Sequence, residues 1–357
     1  MDIPANHNTT TNDIFTDTAN NAINTILLMS ASLLSTLGTL VTITTYFFIK
    51  DIKTMSRHII VCISVADLLT CLANLSGLLM SPTKHNTSPV GCQVQSFLGT
   101  TAILSSFLWT LMLAVYLHMI IVEERIDQAK RLIIPWSHVI CWPVPLIINV
   151  VALTTGALGN DGDQTSAGWC WIKVTGAEHS TVVLWMLVDG KGLEILTYIV
   201  IVTLVIKMKL HLKIKIRNYS RTESPYGTFL TRKTMMVAKQ ADRKLIFIPI
   251  ILIILRIWGT IRFFIYLFNT GCTKDRLWLC QGLLYLHTLG DNLQGAMNCI
   301  LYCFFTPKVY NSIVQLLCNV CCRNTCCKCC TIGSRGGTYE SFETYTDDDE
   351  EDRNLLT

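Results

Sequence analysis

Seven stretches of mainly apolar residues, each about 20 residues or longer, constrain this chain more than any other feature. They cover residues 22–49, 58–80, 93–122, 132–155, 180–206, 245–268 and 278–304. A helix of about 20 residues crosses the roughly 30 Å hydrocarbon core of a bilayer, because each residue adds about 1.5 Å. The sequence therefore predicts an all-α membrane protein, a seven-transmembrane helix bundle.

The charge content agrees with this fold class. Charged residues make up 15% of the chain and hydrophobic residues 51%, with a mean hydropathy of +0.43, whereas soluble chains average about 25% charged residues. This composition argues against a cytosolic enzyme and a nucleic-acid partner. His118, His138 and His287 form no His-Glu-x-x-His motif, and no Gly-x-Ser-x-Gly sequence occurs. We therefore expect no catalysis, no metal and no cofactor.

Lysine and arginine predict the orientation of the bundle. The loops after spans one, three and five have 17 of these residues, and the opposite loops have four: Lys84, Lys173, Lys274 and Arg276. Because cytoplasmic loops carry the excess of positive charge, we expect the N-terminus outside and the C-terminus inside a plasma membrane. Asn8 and Asn86 then begin glycosylation sequons on the outer face. Sequons at Asn74 and Asn218 fall in the membrane and inside, so the pattern alone is not decisive.

Four segments follow from this topology. They are an outer segment (1–21), the bundle (22–306), a juxtamembrane segment (307–330) and a Ser/Thr-rich acidic tail (331–357) with too few apolar residues to fold. Lys308–Leu317 resembles a short amphipathic eighth helix on the membrane. Cysteines just beyond it favour palmitoylation, at Cys318, Cys321 and Cys322. Zinc is the alternative, because Cys326 and Cys329 have a ligand-pair spacing.

Two cysteines on the outer side predict a disulfide. Cys92 begins span three, and Cys170 lies in the loop between spans four and five. Disulfides persist on the oxidising side of a membrane, so a Cys92–Cys170 bond would hold this loop over the bundle. Two free thiols are the alternative. Cys272 and Cys280 flank the last outer loop, where a second bridge and a buried Cys280 remain equally open.

Ionisable residues inside spans are costly and mark functional sites by default. Spans five, six and seven contain Asp189, Lys191, Glu194, Arg256, Arg262 and Asp291. Glu194 and Arg256 lie at similar depths, about 21 and 18 Å from the outer ends of their helices. We therefore predict that Glu194 or Asp189 pairs with Arg256 or Arg262. The pair could be structural, or the group could form an outward-facing polar pocket for an anionic or zwitterionic ligand.

A second polar centre is expected between spans two and seven. It comprises Asp67, Asn292, Gln294 and Asn298. Such groups must be hydrogen-bonded in a membrane, and a centre with two bonding arrangements could act as an inner polar switch.

Local motifs resemble those of G-protein-coupled receptors. Ser64–Leu69 is similar to the receptor span-two motif, and Trp109–His118 to span three of the cyclic-AMP-receptor-like and secretin-like groups. Gly168–Ile172 resembles the second outer loop of the cyclic-AMP-receptor-like group. Ala241–Leu245 and Leu255–Phe263 look like the same parts of an orphan receptor. The rhodopsin-like Asp-Arg-Tyr sequence is absent.

The resemblance implies an unknown extracellular ligand and a heterotrimeric G protein, with Gq-type coupling, phospholipase C signalling and a ciliary membrane as finer expectations. Span six would swing outward at its inner end. Arg125, Lys239, Arg243 and Lys244 lie where the G protein would dock, although each could simply anchor the inner face. Arrestin and receptor kinases would act on the tail. The alternative function is a transporter or channel whose substrate path is lined by the intramembrane charges.

Overall fold

The computed structural model describes residues 11–49, 53–80, 89–160, 166–174, 176–219, 245–268, 277–305 and 309–311. The chain divides into one unit over Met1–Val309 and a second over Tyr310–Thr357, of which Tyr310 and Asn311 are described and helical. Several predicted features lie outside the described residues and stay predictions: Asn8, Asn86, Lys239, Arg243, Lys244, Cys272, Cys318, Cys321, Cys322 and the acidic tail.

Long helices dominate the described part of the chain. In order they are α1 (Thr11–Phe48), α2 (Met55–Met80), α3 (Pro89–His118), α4 (Ile126–Cys141), α5 (Pro143–Thr154), α6 (His179–Met186), α7 (Gly192–Tyr219), α8 (Phe247–Leu267) and α9 (Leu277–Phe305). Two short strands, β1 (Leu158–Gly159) and β2 (Trp171–Ile172), lie between α5 and α6.

Six of the predicted spans are long and apolar enough to cross a membrane. They are Ala19–Phe48, Met55–Gly77, Val90–Glu123, Asp127–Thr154, His179–Ile214 and Phe247–Leu267. The seventh, α9, is 29 residues long and reaches about 43 Å at the usual helical rise. Its lower apolarity comes from buried polar side chains such as His287, Asp291 and Asn298. The predicted all-α membrane bundle is confirmed.

Two spans are interrupted in ways that bear on the site. The fourth breaks between α4 and α5 at Trp142, directly before Pro143, because proline supplies no amide donor and clashes with the preceding turn. In the fifth, a π-helical turn at Leu187–Lys191 joins α6 to α7, with non-helical backbone angles at Asp189 and Gly190. Such π turns often occur at functional sites, because they re-aim side chains within a helix.

The helices expose apolar residues on the outer surface and bury both apolar and polar residues inside. α1 lies against α2 and α9, α2 against α3, α8 against α9, and α3 against α4, α5 and α7. Leu37, Phe48 and Ile147 are exposed on the outer surface, whereas Asp67 and Asn292 are buried. An apolar outer surface with the polar side chains kept inside is expected in a bilayer, where polar groups must bond to one another.

The loop between α5 and α6 covers one end of the bundle. Its strands pair antiparallel, with Leu158 opposite Ile172 and Gly159 opposite Trp171. Cys170 forms a disulfide with Cys92 of α3 across a Cα–Cα distance of 5.5 Å, which confirms the predicted bond. Cys280 is also disulfide-bonded, but its predicted partner lies outside the described residues.

Candidate ligand pocket and polar core

A polar cavity lies beneath the covering loop. Trp169 and Trp171 of the loop line it together with Phe107 of α3. Its charged and titratable lining consists of Asp189, Lys191, Glu194, Arg256, His287 and Asp291. Five of the six residues predicted for a pocket or polar core therefore meet at one cavity. The sixth, Arg262, is not among its lining residues.

Arg256 of α8 and Asp291 of α9 form the central ion pair of this cavity. Arg256 Nη1 lies 3.2 Å from Asp291 Oδ2, and the two residues are 3% and 8% exposed. Arg256 Nε donates to Gln294 Oε1 at 3.1 Å, and the guanidinium lies 5.1 Å from the centre of the Phe107 ring. A charge buried this deeply requires such compensation, because removing it from water costs several kcal/mol.

His287 connects this ion pair to Arg262. Its Nε2 lies 3.2 Å from Asp291 Oδ2, and its Nδ1 lies 2.9 Å from Arg262 Nη1. Because a guanidinium can only donate, Nδ1 must accept. His287 is then the Nε2-protonated neutral tautomer, which donates to Asp291. Arg262 also donates to the Ser166 carbonyl of the loop at 2.7 Å, so it contacts two residues that line the cavity without lining it itself.

Glu194 of α7 is the centre of a second charged cluster, with partners on α7, on α8 and in the π-helical turn before α7. Lys191 Nζ lies 2.7 Å from Glu194 Oε2, and Thr260 of α8 donates to Glu194 Oε1 at 2.6 Å. Tyr198 donates to the same oxygen. The predicted pairing of Glu194 or Asp189 with Arg256 or Arg262 is therefore corrected: Arg256 pairs with Asp291, and Glu194 pairs with Lys191. Depth along a helix does not fix which way a side chain faces, and Lys191 is only three residues away.

Gly259 of α8 allows the two clusters to approach each other. A β-carbon built there would lie 2.5 Å from His287 Nε2 and 3.1 Å from Lys191 Nζ. Real β-carbons do not reach 2.5 Å. Glycine is therefore needed here for the close approach of two side chains, independently of its backbone angles.

Asp189 differs from the other carboxylates. It is fully buried at the π-helical turn, and neither carboxylate oxygen has a hydrogen-bond partner of normal geometry among the described residues. The Trp171 side chain is its polar neighbour. Gly190 makes room for this indole, since a β-carbon at Gly190 would lie 2.9 Å from the Trp171 ring. The Asp189 carboxyl group can therefore accept further hydrogen bonds inside the cavity.

The second polar centre joins α2, α3 and α9. Ser106 of α3 donates to Asp67 Oδ1 at 2.7 Å, and Asn298 of α9 donates to Asp67 Oδ2 at 3.0 Å. Gln294 Nε2 donates to Ser106 Oγ at 2.8 Å. The predicted proximity of Asp67 to Asn298 is confirmed, while Gln294 reaches Asp67 through Ser106.

Asn292 belongs to a different group. Its Oδ1 accepts from Ser32 of α1 at 2.9 Å and from Asn74 of α2 at 2.8 Å. Its Nδ2 donates to the Thr288 carbonyl. Asn292 therefore joins the first, second and seventh spans, and the expectation that it shares a centre with Asp67 is corrected. Asn292 and Gln294 are two residues apart on α9 and contact different neighbours.

Gln294 connects the cavity to the second centre. It accepts from Arg256 through Oε1 and donates to Ser106 through Nε2, and Ser106 donates onward to Asp67. A continuous series of hydrogen bonds, here called the core chain, therefore runs from Asp291 through Arg256, Gln294 and Ser106 to Asp67. Arg256 donates in both directions, to Asp291 at one end and to Gln294 on the other side, and the donors from Gln294 onward point toward Asp67.

Sequence reasoning missed several members of these clusters. Ser106, Tyr198 and Thr260 gave no signal, since single hydroxyl residues are common in spans. His287 is assigned no role from the sequence, because it forms no metal-binding motif. Its position four residues before Asp291 was the available signal, because residues at that spacing share a helix face. Arg125, predicted to contact a G protein, follows the π-helical turn Met119–Glu123 and lies near Gln128.

Comparisons with known proteins agree with this architecture. A family model described as the slime mold cyclic AMP receptor matches residues 15–214. The chain is 33% identical over 296 residues to G-protein coupled receptor 157 of Homo sapiens, covering 82% of this chain and 83% of that protein. It is 32% identical over 300 residues to the Mus musculus protein of that name, covering 83% and 86%. It is also 27% identical over 150 residues to cyclic AMP receptor 4 of Dictyostelium discoideum, covering 41% and 32%.

Proposed function

We propose a signalling mechanism from the premise that this chain belongs to the G-protein-coupled receptor family that includes the slime mold cyclic AMP receptors and G-protein coupled receptor 157. A small polar ligand enters the cavity beneath the covering loop from outside the plasma membrane. Its binding changes the core chain and opens the inner end of the bundle to a heterotrimeric G protein. The observation that carries this proposal is the continuous hydrogen-bonded connection from Asp291 to Asp67.

The core chain favours the closed bundle, because it joins four spans. Arg256 is on α8, Gln294 on α9, Ser106 on α3 and Asp67 on α2. Outward movement of α8 would break its bonds to Asp291 and Gln294. A ligand that competes for Arg256 or Asp291 would therefore bind the open state more tightly, which is the only way a ligand can shift the equilibrium.

The charges of the cavity favour a ligand with hydrogen-bond donors. Lys191 is already paired with Glu194, and Arg256 with Asp291. Arg262 donates to the loop and to His287. The expectation of an anionic ligand therefore has less support than that of a small polar ligand. Asp189 would accept a donor from such a ligand, and the ligand's remaining surface would contact Trp169 and Trp171.

The inner surface and the tail carry the remaining parts of the proposal. Arg125, Lys239, Arg243 and Lys244 would contact the G protein, with Gq and phospholipase C as the expected pathway. Arrestin and receptor kinases would act on residues 331–357. Glycosylation at Asn8 and Asn86, palmitoylation at the juxtamembrane cysteines and a ciliary location belong to the same proposal. They rest on the sequence and the family.

A panel of Gα-subunit activation sensors in cells expressing the full chain tests the function. We expect ligand-independent activation of a Gq-type sensor, which Gln294→Leu increases by cutting the core chain. Gln281→Leu is the matched control, because Gln281 is also on α9 and lies outside that chain. Silence on every sensor with and without a library of small polar metabolites, at confirmed surface expression, would contradict the receptor mechanism. Substrate uptake or ionic current under those conditions would support a transporter or channel.

A further inference from the structure

A cluster of metal-binding side chains lies outside the ligand cavity, between α2 and α4. His58 and Cys62 are one helical turn apart on α2, and His138 is on α4. Their donor atoms all lie within 4.8 Å of one another. None of the three lines the cavity, and none belongs to the core chain.

The distances from His58 to the other two donors are close to those of a tetrahedral zinc site. The Nε2 atoms of His58 and His138 are 3.2 Å apart, and Cys62 Sγ lies 3.9 Å from His58 Nε2. Tetrahedral zinc has Zn–N distances of about 2.0–2.1 Å and Zn–S distances of about 2.3 Å. These place two nitrogen ligands about 3.3 Å apart, and a nitrogen and a sulfur about 3.6 Å apart. Small side-chain rotations would bring the three donors onto one ion.

The surroundings hold the donors in place. The His138 ring packs edge-on to Trp109 of α3 at 4.9 Å, and the His58 ring lies 6.3 Å from that of Tyr46. Cys62 is 7% exposed. Cys141 is three residues after His138 on α4, is fully buried, and lies within electrostatic range of Cys62. The Nε2 atoms of the two histidines face each other, as they must in order to bind the same metal ion.

We propose that His58, Cys62 and His138 bind one Zn²⁺ ion and thereby tie the second span to the fourth. Cys141 or a water molecule completes the tetrahedron. The Cys62 thiol releases its proton to solvent when its thiolate binds the ion, so zinc affinity rises with pH. This site is independent of the proposed receptor function. This site could not be predicted from the sequence, because His58 and His138 are 80 residues apart and match no metal motif.

Zinc content of the full-length protein tests the proposal. The protein would be purified in detergent under reducing conditions, equilibrated with Zn²⁺, and washed before elemental analysis. We expect the unmodified protein to retain one more zinc per chain than His138→Ala. His179→Ala, an exposed histidine at the start of α6, is the matched control and should retain the full amount. Zinc bound by the tail cysteines would be common to all three proteins, so the difference isolates this site.

Two further measurements separate ligation from folding. His138→Cys keeps a side chain that can bind zinc and should retain the ion. If the imidazole of His138 had only a structural role, His138→Ala and His138→Cys would both lose it. With Co²⁺ in place of Zn²⁺, the thiolate-to-cobalt absorption band should appear in the unmodified protein and weaken in Cys62→Ser. A band stronger than one thiolate provides would identify Cys141 as the fourth ligand.

Equal zinc content in the unmodified protein and in folded His138→Ala would overturn the proposal. Loss of zinc from both His138→Ala and His138→Cys, with melting temperatures lowered even in the absence of zinc, would assign the loss to folding and would also contradict direct ligation by this residue. Retention of monovalent copper but not of zinc would overturn the assignment of the metal.

Discussion

Arg256 Nη1 lies 3.2 Å from Asp291 Oδ2, with both side chains almost completely buried between α8 and α9. Such a pair is sensitive to the loss of one partner, because the other is left as an uncompensated buried charge. It also forms the end of the core chain nearest the cavity. In the proposed mechanism, stability and signalling therefore depend on the same two residues.

Asp291→Asn should destabilise the protein severely. Breaking a buried pair costs about 3–5 kcal/mol, so we expect reduced surface expression and a lower melting temperature in detergent. Adding Arg256→Gln should recover much of the loss, since it removes the charge left unpaired. A double variant that is no more stable than Asp291→Asn would show that the ion pair is not the source of the effect.

Asp189→Asn should have the opposite effect on stability. The Asp189 carboxylate is fully buried without a normal hydrogen-bond partner among the described residues. An amide of similar shape is less costly to bury than a charge. We expect an unchanged or higher melting temperature, together with a weaker response to any activating ligand found by screening. A large drop in melting temperature would mean that Asp189 has a structural partner.

Glu194 and Arg256 also show what the sequence could not predict. Composition and span length were sufficient for the fold class, and the compartment of Cys92 and Cys170 was sufficient for their disulfide. Glu194 and Arg256 were predicted to lie at similar depths, and both line the same cavity. Their partners were not predictable, because helix rotation and the π-helical turn at Leu187–Lys191 decide which residues face each other.

Gly259→Ala should disturb the cavity more than an ordinary helix substitution. The new methyl group would lie 2.5 Å from His287 Nε2, and overpacking of this kind typically costs about 1–3 kcal/mol. Gly282→Ala on α9 is the matched control, because no neighbouring atom lies within 4 Å of the added carbon. That control should be neutral or slightly stabilising, since alanine favours helices by roughly 1 kcal/mol over glycine. Equal melting temperatures for the two variants would contradict the close approach.

Loss of the loop disulfide should loosen the cover of the cavity. Cys92→Ser and Cys170→Ser remove the same bond, which closes a loop of 78 residues, and such bonds typically contribute about 2–4 kcal/mol. We expect each single variant to lower the melting temperature under oxidising conditions, and the double variant to lower it no further. Additive losses would indicate that the two cysteines contribute through separate contacts.

The central claim is that the cavity and Asp67 are energetically coupled through Gln294 and Ser106. A double-mutant cycle of Gln294→Leu and Ser106→Ala, read as ligand-independent G-protein activation at matched surface expression, tests it most directly. Each single variant should raise activation because each interrupts the same chain, and the double variant should exceed neither single variant. Unchanged activation in the single variants, or effects that multiply in the double variant, would contradict the account.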